Sequence, residues 1–276
     1  MVPFQAELRR ALNLPSDATN EQLRAALDKP GADNALLIDD AHRLLRPVIG
    51  GLADMDDLLD LARKSTSSCT WVFAIDGVIW EYFERAREAR PLFDDVIDLK
   101  PWSEDGIVRL LESRSAAAGV KARFDELMSE LPDDADEIDR EELREKTRLN
   151  YYRLLWDYAS GNPGVALHFW RGSLRDDGKG GEVVRVFNSP STSDLERLPD
   201  STVFVLRSAI QLEWASPEDI ARATMLPAAS IEDALRYCSA RQYLEQQDGR
   251  YRVRWDWFRA ITRFLQRRHL LVGGGA

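Results

Sequence analysis

Asn34-Ala35-Leu36-Leu37-Ile38-Asp39-Asp40-Ala41-His42-Arg43-Leu44-Leu45 is the stretch on which the reading of this 276-residue chain turns. Its unbroken apolar run is too short for a helix and is bounded by turn chemistry. It suits a strand buried on both faces of a parallel α/β sheet. Open sheets of that kind bind ligands beyond the C-terminal ends of their strands, and Asp39 and Asp40 fall there. In nucleotide hydrolases the first such acid holds Mg2+ through its water shell, and the next polarises the attacking water. Asp39 is therefore the candidate Mg2+ ligand and Asp40 the candidate catalytic carboxylate. A structural use competes: Asp40 can simply cap a helix starting at Ala41. His42 is read as a helix-face residue rather than a base.

Upstream, Phe4, Leu8, Ala11 and Leu12 share one helical face, and Leu23, Ala26 and Leu27 another. Thr19 or Asn20 is placed to cap the second helix. Downstream, a helix over 52–62 leads to a second apolar strand, Thr70-Trp71-Val72-Phe73-Ala74-Ile75, which ends at Asp76-Gly77. A helix over 78–89 and a third strand, Val96-Ile97-Asp98-Leu99, complete an alternation that signals a doubly wound layer. After Pro101 the pattern turns helical. Ser103-Glu104-Asp105 caps a helix to 117, residues 131–145 form an acidic insertion or exposed helix, and 150–159 is an aromatic-rich helix. Gly161-Asn162-Pro163-Gly164 stops it, a helix comes next over 165–174, and a short strand is expected at 183–187.

The last module has three helices, over 201–211, 217–223 and 230–241. Two short strands then flank Asp248-Gly249, a strong hairpin signal, and a helix over 258–269 comes last. That order describes a winged helix-turn-helix. From Pro199 to Leu271 the chain has 11 arginines, no lysine and 9 acids, a net of +2 within an overall charge of −10. Arg250, Arg252 and Arg254 alternate along the second hairpin strand and are candidate contacts for DNA or a protein partner. The third helix of the trio balances Glu232 and Asp233 against Arg236 and Arg241, a poor surface for approaching phosphates. A protein-contact role ranks above DNA on that ground.

Together with the motifs downstream of it, the segment 34–45 resembles the Walker B region of AAA+ and STAND ATPases. Asp76 ends the strand that corresponds to sensor 1, Asp98 to Ser103 resembles the hinge into the helical lid, and Gly161-Asn162-Pro163-Gly164 resembles the lid's Gly-x-Pro turn. The resemblance covers nearly the whole chain through short motifs in family order. It implies an α/β nucleotide-binding core (1–99), here a truncated P-loop parallel sheet, an all-α lid with an acidic insertion (100–176), a linker (177–198), a winged helix (199–271) and a tail (272–276). Helices dominate overall. It further implies nucleotide contacts at Asp76, Asn162 and Pro163, and at Arg90, which stands near an arginine-finger position. Departures are plain. Asp40 replaces the usual Glu, Asp76 the usual polar or basic residue, and Gly164 the sensor 2 arginine.

No G-x-x-x-x-G-K-[ST] occurs in the sequence. That loop wraps backbone N–H groups around phosphates and supplies the lysine. The resemblance thus implies the C-terminal part of a longer ATPase, whose upstream segment supplies the loop and whose intact form binds Mg2+ and ATP. This chain alone is expected to bind neither and to be inactive, with the rest of the parent or another protein as partner. A pseudo-ATPase scaffold is the alternative.

The start of the chain has no basic-then-apolar leader, and no apolar run is long enough for a membrane span. Cys69 and Cys238 are too isolated for a disulfide framework or a metal site. These features predict a cytoplasmic protein without membrane contact.

Overall fold

In the computed structural model, residues 3–28, 34–45, 50–65, 69–86, 92–128, 136–178 and 180–271 are described. Helices α1 (Pro3–Ala11) and α2 (Asn20–Leu27) open the chain. Thr19 caps α2 in a capping box, its hydroxyl accepting the Gln22 N–H while Gln22 accepts the Thr19 N–H. Leu8, Leu23 and Leu27 are buried, as their helical spacing requires.

Strand β1 (Asn34–Ile38) pairs in parallel with β2 (Cys69–Phe73), Leu36 opposite Trp71 and Ile38 opposite Phe73. Helix α3 (Ala53–Lys64) connects them and α4 (Gly77–Ala86) comes after β2. Met55, Leu58 and Leu59 of α3 and Phe83 of α4 form a small core, with Ile38, Trp71 and Phe73 packed against it.

Two expectations fail here. β1 is not buried on both faces: Leu37 and its partner Val72 are 78% and 47% exposed. Nor do Val96-Ile97-Asp98-Leu99 form a third strand. The Asp95 carboxylate accepts the Val96 N–H at 2.9 Å, Lys100 pairs with Asp98, and no strand lies alongside among the described residues. A strand without a neighbour has no ladder for its backbone groups, so Val96, Ile97 and Leu99 stay exposed. Among the described residues, two parallel strands stand where a doubly wound layer is expected.

Ser103 accepts the Gly106 N–H to cap α5 (Glu104–Ala117). After β3 (Ala122–Arg123) comes α6 (Glu137–Ala159), one helix spanning what the sequence divides into an acidic stretch and an aromatic one. Helix α7 (Pro163–Ser173) runs into β4 (Leu174–Asp176), which turns back into β5 (Glu182–Val184). β5 is the central strand of a three-stranded sheet, parallel to β3 and antiparallel to β4. Val184 is fully buried in the core of this middle region, where Phe124, Tyr151, Tyr152 and Trp170 meet ring to ring. The short strand expected at 183–187 thus lies at 182–184, packed within the stretch 177–198 otherwise read as a linker.

The C-terminal region consists of α8 (Asp200–Gln211), α9 (Pro217–Thr224), α10 (Ala228–Ala240), the hairpin β6 (Leu244–Gln247) and β7 (Arg250–Val253), and α11 (Trp255–Arg267). Asp248 and Gly249 are both left-handed, at φ 51° and 74°, as a two-residue turn between twisted strands requires. Ala215, between α8 and α9, exchanges both backbone bonds with Tyr251 at 2.9 and 2.8 Å. Val205 and Leu206 of α8, Ile231 and Cys238 of α10, and Ile261 and Phe264 of α11 build one core. Among the described residues, no helix is long and apolar enough to cross a membrane.

Candidate functional site

Parallel pairing brings the C-terminal ends of β1 and β2 side by side. The Ala74 N–H donates to Ile38 O at 2.8 Å and the Ala41 N–H to Ala74 O at 3.0 Å, so the chain segments leaving both strands are tied together. Asp39 and Asp40 leave one strand, Asp76 the other.

The turn is tight. Asp40 has φ 51°, the left-handed region that L-residues other than Asn and Asp seldom occupy. Its N–H donates to the Asp39 carboxylate at 2.9 Å. Asp40 precedes a 3-10 turn (Ala41–Leu44), but its side chain makes no cap bond there. Its carboxylate instead accepts from Arg43 Nε at 3.0 Å. The purely structural use as a helix cap is not what the side chain does.

His42 is buried, and its Nδ1 accepts the Asp76 N–H at 3.3 Å. Its Nε2 is buried with no hydrogen-bond partner among the described residues. His42 therefore joins the two strand ends and is not the helix-face residue the sequence suggests.

Two adjacent carboxylates suit a hydrated Mg2+ whose remaining ligands come from phosphates. They do not form a cage by themselves, and among the described residues no group of three or more His, Cys, Asp or Glu is arranged to hold a metal ion. Asp39 is exposed and oriented by the Asp40 N–H. Asp40 is half-buried and already ion-paired.

The remaining candidates are spread out. Arg90 lies outside the described residues. Asn162 Oδ1 accepts the Gly164 and Val165 N–H groups at 2.9 and 3.1 Å, so it caps α7, and Pro163 occupies the first turn without an N–H to give. Those bonds consume the donors a helix N-terminus would offer an anion. Gly164 abuts Trp255: a Cβ there would sit 2.8 Å from the indole ring.

Arg250, Arg252 and Arg254 do not form one free basic face. Arg250 is exposed. Arg252 pairs with Glu245, and its guanidinium carbon lies 4.6 Å from the Trp214 ring centroid and 5.4 Å from that of Trp255. Arg254 precedes α11 and binds both carboxylate oxygens of Asp256 at 3.0 and 3.2 Å, which holds its pKa above the ordinary arginine range.

One residue at the site escapes a reading of the sequence. Arg43 binds Asp40 and also donates to the carbonyls of Leu212 and Trp214 in the C-terminal region, the latter at 3.1 Å. The spacing of Asp40 and Arg43, i and i+3 on a helical turn, is a local signal for the first contact. Nothing in the sequence signals the second, which spans 169 and 171 positions.

No protein-family model matches the chain, and no curated protein matches it. Among solved structures, the chain is similar to a Walker-type ATPase of Pyrococcus abyssi. The alignment covers 96% of this chain and 75% of that one at 13% identity, with a TM-score of 0.32. A likeness that loose assigns no residue and no activity to this chain.

Proposed function

We propose that this chain carries the acidic half of a Mg2+–ATP site of the AAA+/STAND kind, with a helical lid and a winged helix behind it. The observation that carries the reading is the delivery of Asp39-Asp40 and Asp76 to the same end of two parallel strands. Asp39 orients hydrated Mg2+ and Asp40 polarises water. The phosphate cradle, absent from these 276 residues, comes from a P-loop segment of a longer parent. Most nucleotide affinity in this class resides in that cradle. The chain alone therefore turns over no ATP. Purified protein with ATP and Mg2+ is expected to match the buffer blank; hydrolysis that disappears in Asp40→Asn would refute this. Asn tolerates the left-handed backbone at position 40, so the variant tests the carboxylate rather than the turn.

The C-terminal module serves protein contact in this reading. Its basic residues support that role over DNA binding, because two of the three hairpin arginines are engaged by Glu245 and Asp256. A salt-dependent complex with duplex DNA, lost on replacing Arg250, Arg252 and Arg254, would reverse the order. A scaffold that has lost catalysis is the second reading, favoured by the pairing of Asp40 with Arg43 and by Trp255 filling the space at Gly164.

A further inference from the structure

Arg43 bridges the turn after β1 and the segment between α8 and α9. Its Nε donates to Asp40 Oδ2 at 3.0 Å, and one terminal nitrogen donates to Leu212 O and to Trp214 O, the latter at 3.1 Å. Guanidinium geometry makes this feasible: its donors point in fixed directions within one plane, whereas a lysine ammonium is a compact point. The acceptors are also fitted to a cation. Leu212 is the C-cap of α8, where unpaired carbonyls and the helix dipole present negative potential. Glu213 is left-handed, with φ 54°, between the two accepting carbonyls.

The segment that receives Arg43 is itself tied to the rest of the C-terminal region. Ala215 is doubly bonded to Tyr251 in β7. The Trp214 ring lies over Arg252, which also faces Trp255, and Trp255 rests on Gly164 at the start of α7. A continuous set of contacts therefore runs from the Asp40 carboxylate through Arg43 and residues 212–215 to the lid helix.

We propose that Arg43 is a latch. It holds residues 212–214 onto the turn after β1 while occupying Asp40, so cation binding at Asp39-Asp40 and attachment of the C-terminal module oppose each other. The opposition rests on the proposed cation role of Asp39-Asp40; the attachment does not. The ion pair alone is weak, since both side chains are partly exposed. Its charge-assisted bonds to the two carbonyls make the larger contribution to attachment. A cation that draws Asp40 away removes one anchor of the guanidinium, and by linkage a detached module leaves Asp40 freer for a cation.

Two measurements on the full chain test this. Amide hydrogen exchange is compared between wild type and Arg43→Gln, with α10 and α6 as internal controls for a retained fold. Exchange across 208–216 is expected to quicken about tenfold or more in the variant, and more modestly in wild type on adding Mn2+. Mn2+ is added at millimolar concentration to force the weak uptake that remains without a phosphate cradle; that uptake, tracked by the loss of the free electron-spin resonance signal, is expected to tighten severalfold in Arg43→Gln and to be lost on adding Asp39→Asn. Unchanged exchange across 208–216 in the variant would overturn the latch. Quickened exchange without Mn2+ uptake by either protein would support the latch and defeat the cation reading of Asp39-Asp40. Equal Mn2+ affinities in the two proteins would overturn the opposition between them. Should Arg43→Gln unfold the controls as well, Arg43→Lys, which keeps the charge without the planar fork, decides: quickened exchange at 208–216 with intact controls supports the latch, and unchanged exchange overturns it.

Discussion

Asp40 combines an uncommon backbone with a candidate chemical role, and the two can be separated. At φ 51° a side chain with a Cβ is strained by about 1–2 kcal/mol unless it is Asn or Asp, and Gly escapes the strain. Asp40→Ala is therefore expected to lower the melting temperature more than either Asp40→Gly or Asp40→Asn, although all three remove the pair with Arg43. Equal melting of the Ala and Gly variants would show that the backbone at 40 carries no such cost. Gly164 poses the complementary case, because the restriction is steric and not conformational. A Cβ there would lie 2.8–3.1 Å from three Trp255 ring atoms, which must shift. Gly164→Ala should destabilise by about 1–3 kcal/mol, as overpacking does, and should alter tryptophan fluorescence. A variant that melts like wild type would mean that Trp255 swings aside freely. Both positions are visible in the sequence as landmarks. Their constraints are not, since each depends on a partner or a dihedral that the residue type leaves open.

At the level of elements, legibility tracks the strength of the local pattern. α2, α5, α8 and α9 begin where the capping residues or the helical period indicate, and the hairpin turn falls at Asp248-Gly249. Strands are less legible. Val96-Ile97-Asp98-Leu99 has strand composition but no neighbour among the described residues, β3 and β4 are only two or three residues long and too short to show a period of two, and β5 takes up only the start of the strand expected at 183–187. The arginines of the hairpin alternate in sequence without sharing a free basic face in the fold. Arg252 is stacked on tryptophan and paired with Glu245, so Arg252→Ala should lower stability through lost packing as well as lost charge. Arg250→Ala, at an exposed position, should leave melting within about 0.5 kcal/mol of wild type. Comparable losses in the two variants would contradict the distinction between a structural and a surface arginine.

For the whole molecule, alkali offers a test that engages two cores at once. Burial raises the Cys238 thiol from 9.0 to about 12 in the C-terminal core. In the middle core, burial raises the Tyr151 and Tyr152 phenols from 10.0 to about 12. Each group keeps its proton in the fold at a pH where the unfolded chain has released it. Below pH 9 both states are protonated and the stabilisation from this source is fully present. As pH rises from about 9 toward 12 the unfolded state binds fewer protons, so unfolding becomes steadily easier, by up to about 1.4 kcal/mol per pH unit for each such group. Urea midpoints measured between pH 8 and 11 should therefore fall, first through the thiol and then also through the phenols. Cys238→Ala should flatten the early part of that decline, between about pH 9 and 10, without abolishing the later part. The thiol itself should resist a disulfide reagent in the native protein and react once urea opens the C-terminal core. Midpoints that hold steady to pH 11, or a Cys238 that labels as fast in the fold as in urea, would mean that these cores open without exposing the groups they bury. In that case the C-terminal region and the middle region would not be packed as a native unit around Cys238, Tyr151 and Tyr152.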